Sequence, residues 1–160
     1  MAQRLILFDF DGTLTTKDTM IEFIKFVKGS GKLYLGYLLL SPTLFGLKAG
    51  LVPNDRAKMK LLKHHFGGME KATLEGHAQV FAEKVVPGLL RSKGIQTLEE
   101  YRQAGDRVIM VSASLDLWLT PWTESIGLEL LSTQAEWRDG RFTGKLATPT
   151  CHGREKVRRI

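Results

Sequence analysis

The fold of this chain is decided by a stretch close to its start, Leu5-Ile6-Leu7-Phe8-Asp9-Phe10-Asp11-Gly12-Thr13-Leu14-Thr15. Its first three residues form an unbroken apolar run, which predicts a buried strand of a parallel sheet covered on both faces. Gly12 and Thr13 predict a turn after the strand. Asp9 and Asp11 therefore lie where a strand ends, the edge at which open α/β sheets bind ligands. A divalent cation there would compensate two neighbouring carboxylates, because hard cations bind carboxylate and carbonyl oxygens.

The remaining sequence alternates between helical and strand patterns. Helical patterns fill most of the chain up to Gly105, and apolar runs then predict strands at 107–111 and 128–132. Residues 137–142 carry Asp-Gly at the tip of a predicted hairpin. This order predicts an α/β fold with a Rossmann-like parallel sheet, formed by residues 1–15 and 89–160. Residues 16–88 are predicted to form an all-helical cap, inserted after the first strand.

The composition is that of a soluble globular protein, with 43% hydrophobic and 25% charged residues among 160. The net charge of +6 favours phosphate esters or anionic lipid headgroups as partners. No basic run is dense enough to indicate nucleic acid. Cys151 is the single cysteine, so an intramolecular disulfide is excluded. Because the first residues do not show a signal-peptide pattern, we expect a cytoplasmic location.

One apolar run, Leu33–Leu47, contains no charged residue and is flanked by Lys32 and Lys48. It is shorter than the roughly 20 residues that a membrane-spanning helix needs. We favour a buried helical hairpin inside the cap, because short apolar stretches more often belong to a core. The alternative is a patch that docks on the inner face of a membrane, with its tyrosines and the two lysines at the level of the headgroups.

Three motifs resemble those of the haloacid dehalogenase-like (HAD) hydrolases. Asp9–Thr15 resembles the nucleophile motif of that family, and Ser112, after the second predicted strand, resembles its second motif. Gly153-Arg154-Glu155-Lys156-Val157 resembles the Gly-x-x-Lys-Val pattern of the phosphoserine phosphatase-like branch. That branch also carries a cap between the first two motifs and a stretch similar to Asp139–Gly144. The resemblance thus covers nearly the whole chain and implies a phosphatase of phosphomonoesters.

The resemblance implies a role for each residue of the first motif. Asp9 would be the nucleophile that forms an aspartyl-phosphate, and Asp11 the general acid and base. The Asp9 side chain and the backbone carbonyl of Asp11 would hold Mg²⁺. The alternation of a strand places residues i and i+2 on one side, which suits two carboxylates facing one phosphate. Gly12 would permit close approach of the backbone.

The other motifs imply contacts with the phosphate and with the rest of the substrate. Ser112 and Lys156 would bind phosphate. Ser112 could instead be part of a helix N-terminus, where Ser114 is the better capping residue. Three arginines could replace Lys156 in its role: Arg154, Arg158 and Arg159. Asp18 would be a substrate contact from the cap, at the position of a glutamate in phosphoserine phosphatases. This difference disfavours phosphoserine, and the apolar run favours a lipid or hydrophobic phosphate.

The family's fourth motif, a strand ending in Gly-Asp and followed by a second Asp, does not occur in this sequence. No Asp follows Asp139. We therefore expect a chain truncated before that motif, in which Mg²⁺ is held poorly and activity is low or absent. We also expect an incomplete sheet, whose open edge favours self-association.

Two other functions are consistent with the sequence. The first is a non-catalytic module that binds phosphate or a membrane through the basic surface and the apolar cap. The second is a phosphotransferase of the same fold, which would pass the phosphoryl group to an alcohol.

Overall fold

The computed structural model describes residues 3–51 and 53–160 of the chain. Residues 1 and 2 of the predicted core and residue 52 of the predicted cap lie outside the described residues. The elements in chain order are β1 (Leu5–Phe8), α1 (Thr19–Lys28), α2 (Ser30–Leu39), α3 (Ser41–Lys48), α4 (Asn54–Phe66), α5 (Lys71–Lys84), α6 (Val86–Leu89), α7 (Ser92–Gln103), β2 (Arg107–Leu115), α8 (Asp116–Ser125), β3 (Glu129–Thr133), β4 (Ala135–Arg138), β5 (Arg141–Leu146) and α9 (Arg154–Arg159).

The predicted α/β fold is confirmed. β1, β2 and β3 form a parallel sheet in that order, with β2 in the centre. β2 is longer than predicted and continues through Ser112 to Leu115, where its register with β3 shifts. The hairpin β4–β5 turns at Asp139 and Gly140, which both have positive φ. Such a two-residue turn is the one that Asp-Gly favours.

The expectation that β1 is covered on both faces is wrong for the described residues. Ile6 and Phe8 pack against the main core, whereas Leu5 and Leu7, on the other face, are 46% and 42% exposed. β1 lies at an edge of the sheet and therefore has a paired neighbour on only one side. An apolar run alone does not reveal which of its two faces is covered.

Helices α1 to α5 fill the segment that was predicted to be a helical cap, and its exact boundaries stay a prediction. This segment packs directly on the α/β part. The ring of Phe23 stacks on Trp118 of α8, with 5.2 Å between centroids, and contacts Phe66 and Phe81 at 5.4 and 5.2 Å. All four rings are fully buried. The helical segment and the sheet thus share one hydrophobic core, which holds the helices over the ends of the strands.

Leu33–Leu47 was predicted to be a helical hairpin buried inside the cap, and the prediction that it is buried is wrong. The run does form two helices, α2 and α3, and Leu33 and Gly36 are buried. Most of the large apolar side chains nevertheless stay exposed, because only one face of α2 packs on α1 and α4. The side chains of Leu44, Leu47 and Lys48 lie outside what the structure describes. Among the described helices, none has the length and apolar character needed to cross a membrane.

Candidate active site

A wide turn over Phe10–Leu14 sets the positions of the two predicted catalytic carboxylates. Phe10 and Leu14 are fully buried and anchor the turn, and the N–H of Thr15 closes it by donating to the carbonyl of Phe10 at 3.1 Å. Gly12 adopts φ of 78°, a left-handed conformation that residues with a Cβ avoid. The space beside it is open. The turn therefore needs glycine at this position, and the predicted phosphate contact of Gly12 stays a prediction.

Asp9 lies immediately after β1, and its carboxylate contacts the side chain of Lys156. Its side chain is 44% exposed, and the Nζ of Lys156 donates to its Oδ1 at 2.6 Å. Lys156 belongs to α9, so the fold joins two residues 147 positions apart. Solvent can reach Asp9 while a fixed positive charge lies beside it.

Two of the arginines that could have replaced Lys156, Arg158 and Arg159, have other contacts. Arg159 donates to Glu155 at 2.9 Å and to the carbonyl of Ser132 at 2.7 Å. Arg158 points to the same glutamate at 3.8 Å and is largely exposed. Of the cations in α9, Lys156 is the one that the described structure places on Asp9.

Asp11 is held far more tightly than Asp9. Its Oδ1 accepts hydrogen bonds from the backbone N–H and the hydroxyl of Thr19, both at 2.7 Å. Its Oδ2 accepts from the hydroxyl of Ser114 at 2.5 Å. Thr19 is the first residue of α1, whose N–H has no partner within the helix. Asp11 thus links β1 to the first cap helix and to the end of β2.

Burial raises the pKa of Asp11 above its ordinary value, although the hydrogen bonds from Ser114 and Thr19 lower it. Trp118 adds a further contact by donating its indole N–H to the hydroxyl of Thr19 at 3.2 Å. A carboxyl group in this environment retains its proton to higher pH than an exposed one.

The structure places Ser114, rather than Ser112, in contact with Asp11, and the phosphate contact of Ser112 stays a prediction. Ser112 is buried, and its Oγ accepts from the backbone N–H of Ser114 at 3.0 Å. Ser114 does not cap α8 but contacts Asp11, while Asp116 accepts the N–H of Leu117 at 2.8 Å at the start of that helix. The alternation of strand residues does place both serines on one side of β2, but it does not indicate which of them meets Asp11.

A cavity of about 310 Å³ lies between the end of β2 and the cap. Asp11, Asp18, Ala113 and Ser114 line it. Further lining residues come from the cap helices and the segment before α9: Met20, Ile21, Tyr37, Ala57, Lys58, Leu61, Thr150 and His152. Asp18 also caps α1, because its Oδ1 accepts the N–H of Ile21 at 3.1 Å. This volume suits a small organic ligand.

The sequence did not lead us to predict Lys58 as a residue of the site. It extends from α4, and its Nζ donates to the carbonyl of Ala113 at the end of β2. Burial lowers its pKa, and the carboxylates of Asp18 and Asp11 oppose that effect. The available signal was a lysine on the apolar face of a helix, three positions before Leu61 and four before Leu62.

The sequence was also compared with protein families and with known proteins. The family model described as haloacid dehalogenase-like hydrolase matches residues 6–160. Protein CicA of Caulobacter vibrioides is 35% identical over 160 residues, an alignment that covers 98% of this chain and 70% of CicA.

Solved structures share the fold. A protein of unknown function from Bordetella pertussis Tohama I superposes with a TM-score of 0.82 at 22% identity, covering 99% of this chain and 73% of the other. Phosphoserine phosphatase from T. onnurineus gives 0.61 at 22% identity, covering 99% and 70%. A phosphoserine phosphatase with an analogue of the phospho-aspartyl intermediate also gives 0.61, at 19% identity, covering 91% and 63%. The resemblance carried by Asp9–Thr15 is confirmed: the chain belongs to the haloacid dehalogenase-like hydrolases.

Proposed function

We propose that this hydrolase cleaves phosphomonoesters in a Mg²⁺-dependent reaction that passes through an aspartyl-phosphate on Asp9. The observation that carries the proposal is the pair of unlike carboxyl groups after β1. Asp9 is accessible and lies 2.6 Å from a lysine ammonium, whereas Asp11 is enclosed by hydroxyl groups and has a raised pKa. One group is suited to attack and the other to transfer a proton.

In the first step, a carboxylate oxygen of Asp9 attacks phosphorus and the bond from phosphorus to the ester oxygen breaks. The leaving oxygen takes a proton from Asp11. In the second step, Asp11 takes a proton from water, the water oxygen attacks phosphorus, and the bond to Asp9 breaks to release inorganic phosphate. The raised pKa of Asp11 supports the first step because a general acid must begin protonated.

Lys156 and Ser112 are the proposed phosphate contacts. The ammonium of Lys156 offers positive charge beside Asp9, where the phosphoryl oxygens would lie. The Oγ of Ser112 accepts one hydrogen bond, and no acceptor for its own proton is found in the part of the chain that the structure describes. The proposed acceptor of that proton is a phosphoryl oxygen. Gly12 leaves open space for the same group.

The residues after β1 fit Mg²⁺ as a cofactor. The Asp9 carboxylate is accessible and supplies hard oxygen donors, and the backbone carbonyl of Asp11 is the proposed second ligand. The described residues hold no cluster of three or more His, Cys, Asp or Glu side chains suited to a metal. Mg²⁺ sites commonly combine one or two carboxylates with water and substrate phosphate. When bound, the ion neutralises phosphate charge and so lowers the barrier to attack by a carboxylate.

The cavity indicates a small phosphorylated substrate. Its polar wall contains Asp18 and Lys58, which could recognise the part of the substrate that carries the phosphate. The ammonium group of Lys58 could bind an anionic or hydrogen-bond-accepting group of the substrate. We propose that Asp18 contacts the substrate from the cap. It would use its second carboxylate oxygen, Oδ2, because Oδ1 already caps α1.

Hydrolysis of p-nitrophenyl phosphate with and without Mg²⁺ tests the proposal. We expect slow turnover by the chain at high protein concentration, and no turnover above background for Asp9→Asn. Asp139→Asn is the matched control, because Asp139 lies in the β4–β5 turn at φ of 49°, a conformation that asparagine tolerates. The proposal is contradicted if the chain and Asp9→Asn give equal rates. The low activity that the sequence led us to expect stays a prediction that this assay measures.

A further inference from the structure

The cap exposes an apolar surface that the proposed chemistry does not use. We name the cap patch by its residues, which are between 52% and 80% exposed: Tyr34, Leu35, Leu38, Leu39, Phe45 and Leu51. The four residues of α2 follow the spacing i, i+1, i+4 and i+5, which forms one stripe along a helix. Single exposed apolar residues are ordinary, but a stripe of this kind marks an interaction site.

The opposite side of α2 explains why the stripe does not serve the fold. Leu33 and Gly36 are buried against neighbouring helices, and Tyr37 lines the cavity that also contains Asp11. The helix therefore has one face in the core and in the candidate site, and one face in solvent. Folding is complete without burial of the stripe.

The charged residues within residues 30–51, the segment that forms the cap patch, are of one sign. No Asp or Glu occurs between Glu22 and Asp55, a segment that contains α2 and α3. Lys32 lies on α2, and Lys60 of α4 donates to the hydroxyl of Thr43 on α3 at 3.0 Å. An apolar surface edged by lysines is complementary to an anionic lipid surface, where the apolar groups enter the interface and the cations contact headgroups.

We propose that the cap patch docks the protein on an anionic membrane surface, with α2 and α3 lying in the interface. Both helices are too short to cross it, at 10 and 8 residues. A second copy of the chain is a poorer occupant. A symmetric contact would bring two lysine-edged surfaces together, and each chain carries a net charge of +6. Docking would place the cavity wall formed by Tyr37 close to the membrane. The proposal stands independently of the catalytic one.

Co-sedimentation with vesicles tests the docking. We expect the protein to bind vesicles of phosphatidylcholine and phosphatidylserine at low salt, and to bind phosphatidylcholine alone more weakly. Leu38→Lys should reduce binding at least about tenfold although it adds a positive charge, because the leucine no longer enters the apolar layer. The matched control is Leu5→Lys, an exposed leucine on β1 outside the cap patch, which should bind like the unchanged protein.

Several outcomes would overturn the proposal. They are no binding to anionic vesicles, equal binding of Leu38→Lys and the unchanged protein, and equal loss in Leu5→Lys. Analytical ultracentrifugation covers the second-copy alternative: a dimer that Leu38→Lys abolishes, without vesicle binding, would contradict docking. Thermal melts of both variants establish that each one is folded, so that lost binding reports on the surface.

Discussion

The turn after β1 and the helical hairpin α2–α3 differ in how far their side chains contact the rest of the protein. In the turn, both carboxylate oxygens of Asp11 have hydrogen-bond partners, and Asp9 has Lys156. In the hairpin, a whole stripe of apolar side chains is more than half exposed. The difference indicates two tasks. Chemistry needs carboxyl groups whose positions and protonation are fixed, whereas docking needs an apolar surface that the fold leaves uncovered.

The largest effect is expected where the turn is changed. Asp9→Asn should abolish turnover of p-nitrophenyl phosphate, because no nucleophile remains. Asp11→Asn should lower kcat by about 10²–10⁴-fold, the usual contribution of a general acid. Steady-state kinetics on both variants separate the two roles. A larger loss for Asp11→Asn than for Asp9→Asn would reverse our assignment of nucleophile and acid.

Lys58 links the cap to the sheet, since it lies on α4 and reaches the end of β2. Lys58→Met retains the length of the side chain but removes its charge and its donors. We expect KM to rise by about 10–100-fold for a substrate with an anionic or polar group in the cavity, the value of one charged hydrogen bond. Lys60→Met, two residues along α4, is the control and should leave KM unchanged. Equal effects of the two variants on KM would exclude a specific role for Lys58.

The protonation of Asp11 provides a finer test of the turn. The hydrogen bond from Ser114 lowers the pKa of Asp11, so Ser114→Ala should raise that pKa further. The reaction needs protonated Asp11, and its rate falls as pH rises through this pKa. The falling limb of the kcat profile should therefore move to higher pH in Ser114→Ala. Ser125→Ala, which removes a hydroxyl bonded to Trp122 at the end of α8, should leave the profile in place.

Substitutions at two glycines of α2, one packed against α4 and one with open space beside it, test how this helix packs. A Cβ on Gly36 would lie 2.5 Å from the Nε2 of His65, whereas nothing lies within 4 Å of a Cβ on Gly31. Gly36→Ala should lower the free energy of unfolding by about 1–3 kcal/mol through overpacking. Gly31→Ala should be neutral or stabilising by up to about 1 kcal/mol, because alanine favours a helix. Urea unfolding measures both, and equal values would show that α2 does not pack on α4 as described.

His65, which lies beside Gly36, should make the free energy of unfolding depend slightly on pH. Burial, together with the charges of His64 and Lys28, lowers its pKa from 6.5 to about 4. Between these values the unfolded chain binds more protons than the folded one, so this contribution to stability falls as pH decreases from 6.5 to 4. His65→Gln should reduce the pH dependence of the free energy of unfolding in that range, and His77→Gln should preserve it. An unchanged dependence in His65→Gln would show that His65 is not buried in its neutral form.

The sequence predicted local features well because their causes are local. The apolar run before Asp9, the Asp-Gly turn at Asp139 and the lysine motif at Lys156 each indicated an element that the structure contains. Burial was predicted poorly, since the coverage of Leu7 or Leu38 depends on which distant segments pack there. Lys58 was missed for the same reason: its contact with Ala113 spans 55 residues, and no local pattern encodes it.

The central claim is that Asp9 carries the phosphoryl group. Beryllofluoride mimics a phosphoryl group on a carboxylate and can be followed by ¹⁹F NMR without turnover. With Mg²⁺ and beryllofluoride, we predict signals of the bound complex for the unchanged chain and for Asp11→Asn, and none for Asp9→Asn. Bound signals that persist in Asp9→Asn, or their absence from the unchanged chain, would contradict the account.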